Sequence, residues 1–188
     1  IGVWGGEQRQ YASLKFFLYT MFGSAFMLVA FLALFFQTGA ESFGFATLID
    51  LGAGIDRDVQ VWIFAGMFLG FAVKVPMFPF HTWLPDAHTQ APTQGSVILA
   101  AILLKLGTYG FVRIAIPMLP EGAKAWAPAI GILAVIGIIY GSLGCLAQTD
   151  MKRLIAFSSV AHMGFVMLGI STLTTFGINA ALFGMVAH

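Results

Sequence analysis

Long apolar stretches follow one another along this chain, and polar residues are largely confined to the short segments between them. Five complete stretches cover about residues 14–36, 59–85, 91–117, 126–147 and 152–172. A sixth begins near residue 177 and runs to the end of the sequence at 188. A helix needs roughly 20 apolar residues to cross the hydrocarbon core of a bilayer. We therefore predict an all-α, polytopic bundle of transmembrane helices that forms a single domain over residues 1–188.

The composition excludes several other classes of protein. Hydrophobic residues make up 59% of the chain and charged residues only 9%, which is more apolar surface than a soluble domain of 188 residues can bury. A net charge of +1 without a basic patch argues against a nucleic-acid partner. The single cysteine, Cys145, cannot form an internal disulfide, and no metal-ligand spacing or phosphate-binding loop is present. We expect the lipid bilayer as a partner and no cofactor in this chain.

The segments between the stretches carry the topology signal. Basic residues precede the first and fifth stretches, whereas segment 37–58 contains four acidic residues and a single arginine. The positive-inside rule then predicts that residues 1–13 and 147–153 are cytoplasmic and that 37–58 is outside. Strict alternation of the spans places 86–90 inside and 118–125 outside. The chain starts at Ile1 and ends at His188 within an apolar run, so we expect a fragment of a longer protein.

Two lysines, Lys74 and Lys105, lie in the middle of apolar stretches. A charged side chain in hydrocarbon costs at least about 2.5–3.5 kcal/mol, so such residues are usually functional. Ammonium groups release their proton more readily when buried, which makes both lysines candidate proton carriers. The alternative is snorkelling, in which the apolar part of the lysine side chain extends so that the charge reaches the membrane interface. Snorkelling suits lysines within a turn or two of a span end, and neither Lys74 nor Lys105 fits that description well.

The second stretch contains a break signal directly after Lys74. Pro76 and Pro79 each lack an amide donor and clash with the preceding turn, so we predict an interrupted helix within residues 74–80. Backbone groups freed at membrane depth are tolerated only where they face protein or water. Broken helices beside an ionisable residue recur in ion transporters. We expect Lys74 to face the bundle interior, toward Lys105.

Four basic residues are predicted at a similar depth. Counting about 1.5 Å per residue from the nearest polar position places Lys74, Lys105, His162 and His188 roughly 12–18 Å from a membrane edge. Half of a hydrocarbon core of about 30 Å is about 15 Å, so all four lie near the midplane, on four helices. Lysines and histidines can both exchange protons, which predicts a lateral relay with help from Ser158, Ser159, Thr108 and Tyr109. The alternative for the histidines, His162 in particular, is a structural packing role.

A group of polar and aromatic residues lies where the second stretch leaves the membrane. It comprises His81, Trp83, Asp86 and His88. Here an aromatic belt at the interface and capping of the next helix explain the residue types better than proton transfer does.

Two segments of the sequence resemble a known family closely. The stretch KVPMFPFHTWLPDAHTQAPTQGSVILAAILLKLGTYGFVR and the later AQTDMKRLIAFSSVAHMGFV are similar to the antiporter-like subunits of respiratory complex I. The amino-terminal WGG, followed by RQYASLKFFLYT, is similar to the same family. The resemblance runs through essentially the whole chain.

The resemblance implies a larger fold and a role for each candidate residue. Such subunits have about fourteen helices built from two inverted repeats, and this fragment would cover the end of the first repeat and the beginning of the second. The lysine of the broken helix, here Lys74, would be the central proton-translocating residue, with Lys105 as its neighbour. His162 and His188 would link the two half-channels. A glutamate partner would lie before residue 1, and a terminal lysine or glutamate beyond residue 188.

Three functions are compatible with these features. The leading hypothesis is a proton-translocating membrane-arm subunit of NADH:quinone oxidoreductase, in a bacterial inner membrane or the mitochondrial inner membrane. NADH, FMN, iron–sulfur clusters and quinone would then bind other subunits, and this chain would hold no redox centre. The alternative is a subunit of a multisubunit cation/proton antiporter or of a membrane-bound hydrogenase. A third hypothesis is a structural membrane-arm subunit with its lysines in static ion pairs.

Overall fold

The computed structural model describes residues 1–39 and 42–188, and within that part of the chain every regular element is helical. Residues 40 and 41, in the segment predicted to lie outside, are not among the described residues. The helices are α1 Arg9–Gln37, α2 Phe45–Gly52, α3 Arg57–Lys74, α4 Trp83–Gln90, α5 Thr93–Met118, α6 Pro120–Leu146, α7 Met151–Ser171 and α8 Thr175–Ala187. The predicted all-α fold is confirmed.

Four helices of the described chain are long and apolar enough to cross a membrane, namely α1, α5, α6 and α7. They correspond to four of the five predicted stretches, although α1 and α6 begin earlier than predicted. Helix α6 begins early, at Pro120. Proline is favoured at the first helical position, because the backbone N–H that it lacks would have no partner within the helix. The remaining stretch, 59–85, is not one helix: α3 ends at Lys74, and α4 begins only at Trp83.

A short helix, α2, lies in the segment 37–58 that was predicted as a loop. Its residues Leu48 and Gly52 are buried. A methyl group on Gly52 would come within 2.5 Å of the Met118 carbonyl oxygen, so only glycine permits this approach to the end of α5. Hydropathy did not reveal α2 because it is a short amphipathic helix of about two turns rather than a long apolar run.

Several helices begin at a residue whose side chain accepts a backbone N–H bond. Asp56 accepts from Asp58 N before α3, Asp150 from Arg153 N before α7, and Thr174 from Gly177 N before α8. Each of these side chains satisfies one of the amides that a helix start leaves unpaired. The starts of these helices are therefore set locally by sequence.

Helix α3 is the centre of the bundle. It packs against α1, α5 and α6, while α7 packs against α6, α4 and α8. Small residues allow several of these contacts: a methyl group on Gly70 would lie 2.8 Å from the Gly23 carbonyl oxygen, and one on Gly141 would lie 2.8 Å from Ala161 N. Close approach at small residues is the usual basis of helix association in membranes.

The contact between α3 and α5 can be tested at Gly107. A methyl group there would lie 2.6 Å from Val75 Cγ2 and 3.0 Å from Lys74 Cβ, so Gly107→Ala should overpack this contact and destabilise the full-length protein by about 1–3 kcal/mol. Gly95→Ala, on the same helix, is the matched control because its nearest contact would be an ordinary 3.6 Å. Thermal unfolding of the two purified variants in detergent measures the difference. Equal midpoints would contradict the packing described.

Candidate functional site

The helix break is present where the prolines predicted it. Val75 N donates to Phe71 O at 2.8 Å and Met77 N to Ala72 O at 3.0 Å, and these two bonds complete the last turn of α3. From there the chain runs irregularly to Trp83. The regular hydrogen-bond pattern ends at this point because a proline nitrogen has no hydrogen to donate.

One carbonyl at the break is satisfied by a residue that follows it. The indole N–H of Trp83 donates to Val73 O at 2.9 Å, and the Trp83 side chain is 1% exposed. The expectation of an interfacial aromatic belt is therefore wrong for Trp83, which lies inside the bundle. Its ring supplies apolar contact and its N–H supplies the hydrogen bond that a buried carbonyl requires.

Lys74 is the last residue of α3 and is partly buried. Its Cβ lies close to Gly107 of α5, two residues beyond Lys105. Lys74 forms no ion pair with any of the described residues. The structure thus places Lys74 on the face of α3 that packs against α5, and the direction of its ammonium toward Lys105 stays a prediction.

Lys105, His188 and Ser159 form a connected hydrogen-bonded chain. Lys105 Nζ lies 2.9 Å from His188 Nδ1, and His188 Nε2 lies 3.0 Å from Ser159 Oγ. Lys105 lies in α5, His188 directly follows α8, and Ser159 lies in α7, where it is buried at 4% exposure. Two of the four residues predicted at one depth are therefore in direct contact.

The chemistry of these groups determines the direction of the bonds. A protonated lysine can only donate hydrogen bonds, so His188 Nδ1 is the acceptor when Lys105 is charged. The neutral imidazole then carries its hydrogen on Nε2 and donates to Ser159 Oγ. The chain is oriented from Lys105 to Ser159, and its two basic groups can share one excess proton.

A π-helical turn of α5 provides a second hydrogen-bond partner for the Lys105 ammonium. Residues Leu99–Leu103 form a π turn within α5, and Lys105 Nζ donates to Ala100 O in that turn at 2.7 Å. A second π turn, Phe111–Ala115, follows on the same helix. Such single-turn widenings shift helix register and occur frequently at functional sites.

His162 lies beside this chain. Its ring centroid is 5.7 Å from that of His188, and the His162 side chain is exposed in the described part of the protein. Both histidines line a cavity of about 760 Å³ together with Ser158 and Ser159. The choice between a relay role and a packing role for His162 stays a prediction. Of the other proposed helpers, Thr108 is buried and Tyr109 is exposed.

A second polar cluster lies at the end of the bundle reached by α4. Asp86 Oδ2 is 2.6 Å from Lys15 Nζ, and Asp86 Oδ1 is 3.6 Å from the Arg153 guanidinium. Sequence reasoning assigned Asp86 only a capping role and missed this network. The topology prediction placed segments 1–13, 86–90 and 147–153, at or next to these three residues, on one side of the membrane. That signal indicates a shared side but not which residues pair.

The comparisons with known proteins agree with this architecture. A family model described as "NADH:quinone oxidoreductase/Mrp antiporter, TM" matches residues 1–188. The chain belongs to this family. Its members include membrane subunits of both kinds of complex, so the match identifies the fold and leaves the two functions to be separated by other evidence.

Individual relatives lie on the complex I side of the family. NADH-quinone oxidoreductase subunit M of Rickettsia prowazekii is 52% identical over 188 residues, which is 100% of this chain and 38% of the relative. NADH-ubiquinone oxidoreductase chain 4 of Metridium senile is 52% identical over 189 residues, again 100% of this chain and 38% of the relative.

A solved structure matches as well. The structure "Respiratory complex I from Thermus thermophilus with bound NADH" contains a chain that matches with a TM-score of 0.89 and 35% identity over 98% of this chain and 39% of that one. The expected likeness to antiporter-like complex I subunits is confirmed. The present chain is therefore part of an integral membrane protein. It spans 38% of the length of the curated relatives cited.

The hydrogen bond from Trp83 can be tested by removing only the donor. Trp83→Phe keeps an aromatic ring but leaves the Val73 carbonyl unpaired, which should destabilise the full-length protein by about 1–3 kcal/mol. Trp126→Phe is the matched control, because Trp126 Nε1 donates to Val61 O inside α3, where that carbonyl also has its helical partner. The measurement is thermal unfolding in detergent. A larger loss for Trp126→Phe would contradict the role given to Trp83.

Proposed function

We propose that the full-length protein is a proton-translocating membrane-arm subunit of an NADH:quinone oxidoreductase in a bacterial inner membrane. The relatives named subunit M and chain 4, each 52% identical over the whole chain, support the assignment to that complex. The Lys105–His188–Ser159 hydrogen-bonded chain is the observation that supports proton transfer by this subunit. It joins two titratable groups and connects α5 and α7 through the residue after α8. NADH and quinone would react in other subunits of the complex.

The transfer starts from the state in which Lys105 is charged and His188 neutral. The proton moves from Lys105 Nζ to His188 Nδ1 along their 2.9 Å hydrogen bond, which leaves a neutral amine and an imidazolium. The imidazolium then releases its Nε2 proton toward Ser159 Oγ at 3.0 Å, while the serine hydroxyl hydrogen passes to water. His162, which lines the same cavity and whose ring centroid is 5.7 Å from that of His188, would be the next group to accept the proton.

Lys74 would act as the carrier at the break. Its Cβ lies close to Gly107, on the face of α3 that contacts α5, the helix of Lys105. Two positive charges on packed helices disfavour each other in a low-dielectric interior. Protonation of Lys105 would therefore promote release of the proton from Lys74. When Lys105 loses its own proton, protonation of Lys74 would again be favoured. Quinone reduction elsewhere in the complex would supply the free energy.

The second candidate function is a cation/proton antiporter subunit, because the family description includes the Mrp antiporters. Both functions would use the same lysines and the same broken helix. The identity to complex I subunits favours the first. A pumping activity of the assembled complex that follows quinone reduction and needs no Na⁺ would support complex I, whereas Na⁺-dependent proton exchange would support the antiporter.

Replacement of Lys74 tests the central role. Lys74→Ala in the full-length subunit should leave the complex assembled and reduce proton pumping at least about tenfold, since positioned proton donors typically contribute 10²–10⁴-fold. The control is Lys124→Ala, which removes an exposed lysine paired with Glu121. Quinone-driven proton uptake by reconstituted vesicles gives the rate. Pumping near wild type in Lys74→Ala would contradict the proposal.

Arginine and histidine substitutions separate the two lysines. Lys105→Arg should retain part of the pumping, because a guanidinium keeps the positive charge that acts on Lys74 although it cannot pass a proton to His188, and Lys105→His can still exchange a proton. Lys74→Arg should lose nearly all of it, since arginine holds its proton at working pH. The same vesicle assay, with assembly checked by native electrophoresis, compares the variants. Equal losses at both positions would argue against distinct roles.

A further inference from the structure

The short helix α4 is held by several parts of the bundle at once. Its end is bound by the amino-terminal segment, where Gly6 N donates to Gln90 O at 3.0 Å and Gln8 N to Gln90 Oε1 at 3.0 Å. On another side, Lys152 Nζ at the start of α7 donates to Ala91 O at 3.1 Å. These contacts restrain the carboxyl end of α4, and the segment before it needs separate support.

That support comes from one face of α1. Lys15 pairs with Asp86, and one turn further along, the Tyr19 hydroxyl lies 2.8 Å from Thr82 Oγ1. Residues four apart lie above one another on a helix, so these two side chains form a line along the segment Thr82–Asp86. Trp83, which bonds to the Val73 carbonyl at the break, lies within this segment.

Asp86 is the only acidic group in the three-residue network. Its side chain is 23% exposed and that of Lys15 is 21% exposed, so their 2.6 Å bond is shielded from water on most sides. The ion pair with Arg153 is longer, at 3.6 Å, and the Arg153 side chain is 49% exposed. Shielded, charge-assisted bonds contribute more than exposed ion pairs. Neutralising Asp86 would also leave the charges of Lys15 and Arg153 facing each other without compensation.

We propose that Asp86 is a positioning residue for the helix break: through its hydrogen-bonded ion pair with Lys15 and its longer ion pair with Arg153, it holds α4 so that Trp83 completes the carbonyl end of α3 next to Lys74. This inference rests on the proposed function for its consequence, which is that loosening α4 impairs proton transfer at Lys74. Its structural part concerns only the order of the break. The two parts can be measured separately.

The experiment compares Asp86→Asn with Asp86→Glu in the full-length subunit of the assembled complex. Glu121→Gln is the matched control, because it breaks a 2.7 Å pair with Lys124 at an exposed site away from the break. Hydrogen–deuterium exchange of the peptides that cover residues 72–90 reports on the order of the break. Quinone-driven proton pumping by vesicles, measured against pH, reports on function.

The expected result is a roughly tenfold rise in exchange across residues 72–90 for Asp86→Asn, in the range that the loss of one charged hydrogen bond produces. Pumping should fall, its pH profile should shift, and Asp86→Glu should restore both readouts in large part. Glu121→Gln should leave both at wild-type level. Unchanged exchange in Asp86→Asn would overturn the inference, and so would raised exchange with unchanged pumping and pH profile. If Lys74→Ala still pumps, the proposed function fails, whereas the exchange data still decide whether Asp86 orders the break.

Discussion

The interruption after Lys74 is the constraint on which the other features depend. A break in a helix at membrane depth exposes carbonyls that hydrocarbon cannot hydrogen-bond, and each unsatisfied group costs several kcal/mol. The chain meets this demand internally, by turning back so that Trp83 donates to Val73 O. For Trp83 to reach that carbonyl, the following segment must lie inside the bundle, and this requirement explains why α4 is short and closely held.

The break also shapes the contact between α3 and α5. Without a continuous helix beyond Lys74, the end of α3 can approach α5 closely, and Gly107 provides the necessary space. Helix α5 in turn is widened by a π turn whose Ala100 carbonyl accepts from Lys105. The two lysines are thus each placed beside an irregularity of backbone hydrogen bonding. Such irregularities provide polar backbone groups in an interior that otherwise has few.

Much of this arrangement follows from local sequence. Apolar run lengths predicted four of the helices, and the prolines predicted the break. Counting residues predicted that Lys105 and His188 lie at a similar membrane depth, and their side chains lie 2.9 Å apart. The role of Trp83 and the pairing of Asp86 could not be predicted in this way. Both depend on which distant residue comes to face them, Val73 across the break and Lys15 on α1. The residue types alone were equally consistent with an interfacial belt and a helix cap.

The two polar clusters differ in a way that fits different tasks. At the rim, Asp86 compensates nearby cations, and such partly buried ion pairs hold helices in place. In the bundle, Lys105 and His188 are both basic, so a second proton on the pair is opposed by the first. One excess proton can lie on either of the two groups, which is what the proposed relay would use. The rim cluster gains rigidity from opposite charges, whereas the inner one brings together two basic groups that compete for one proton.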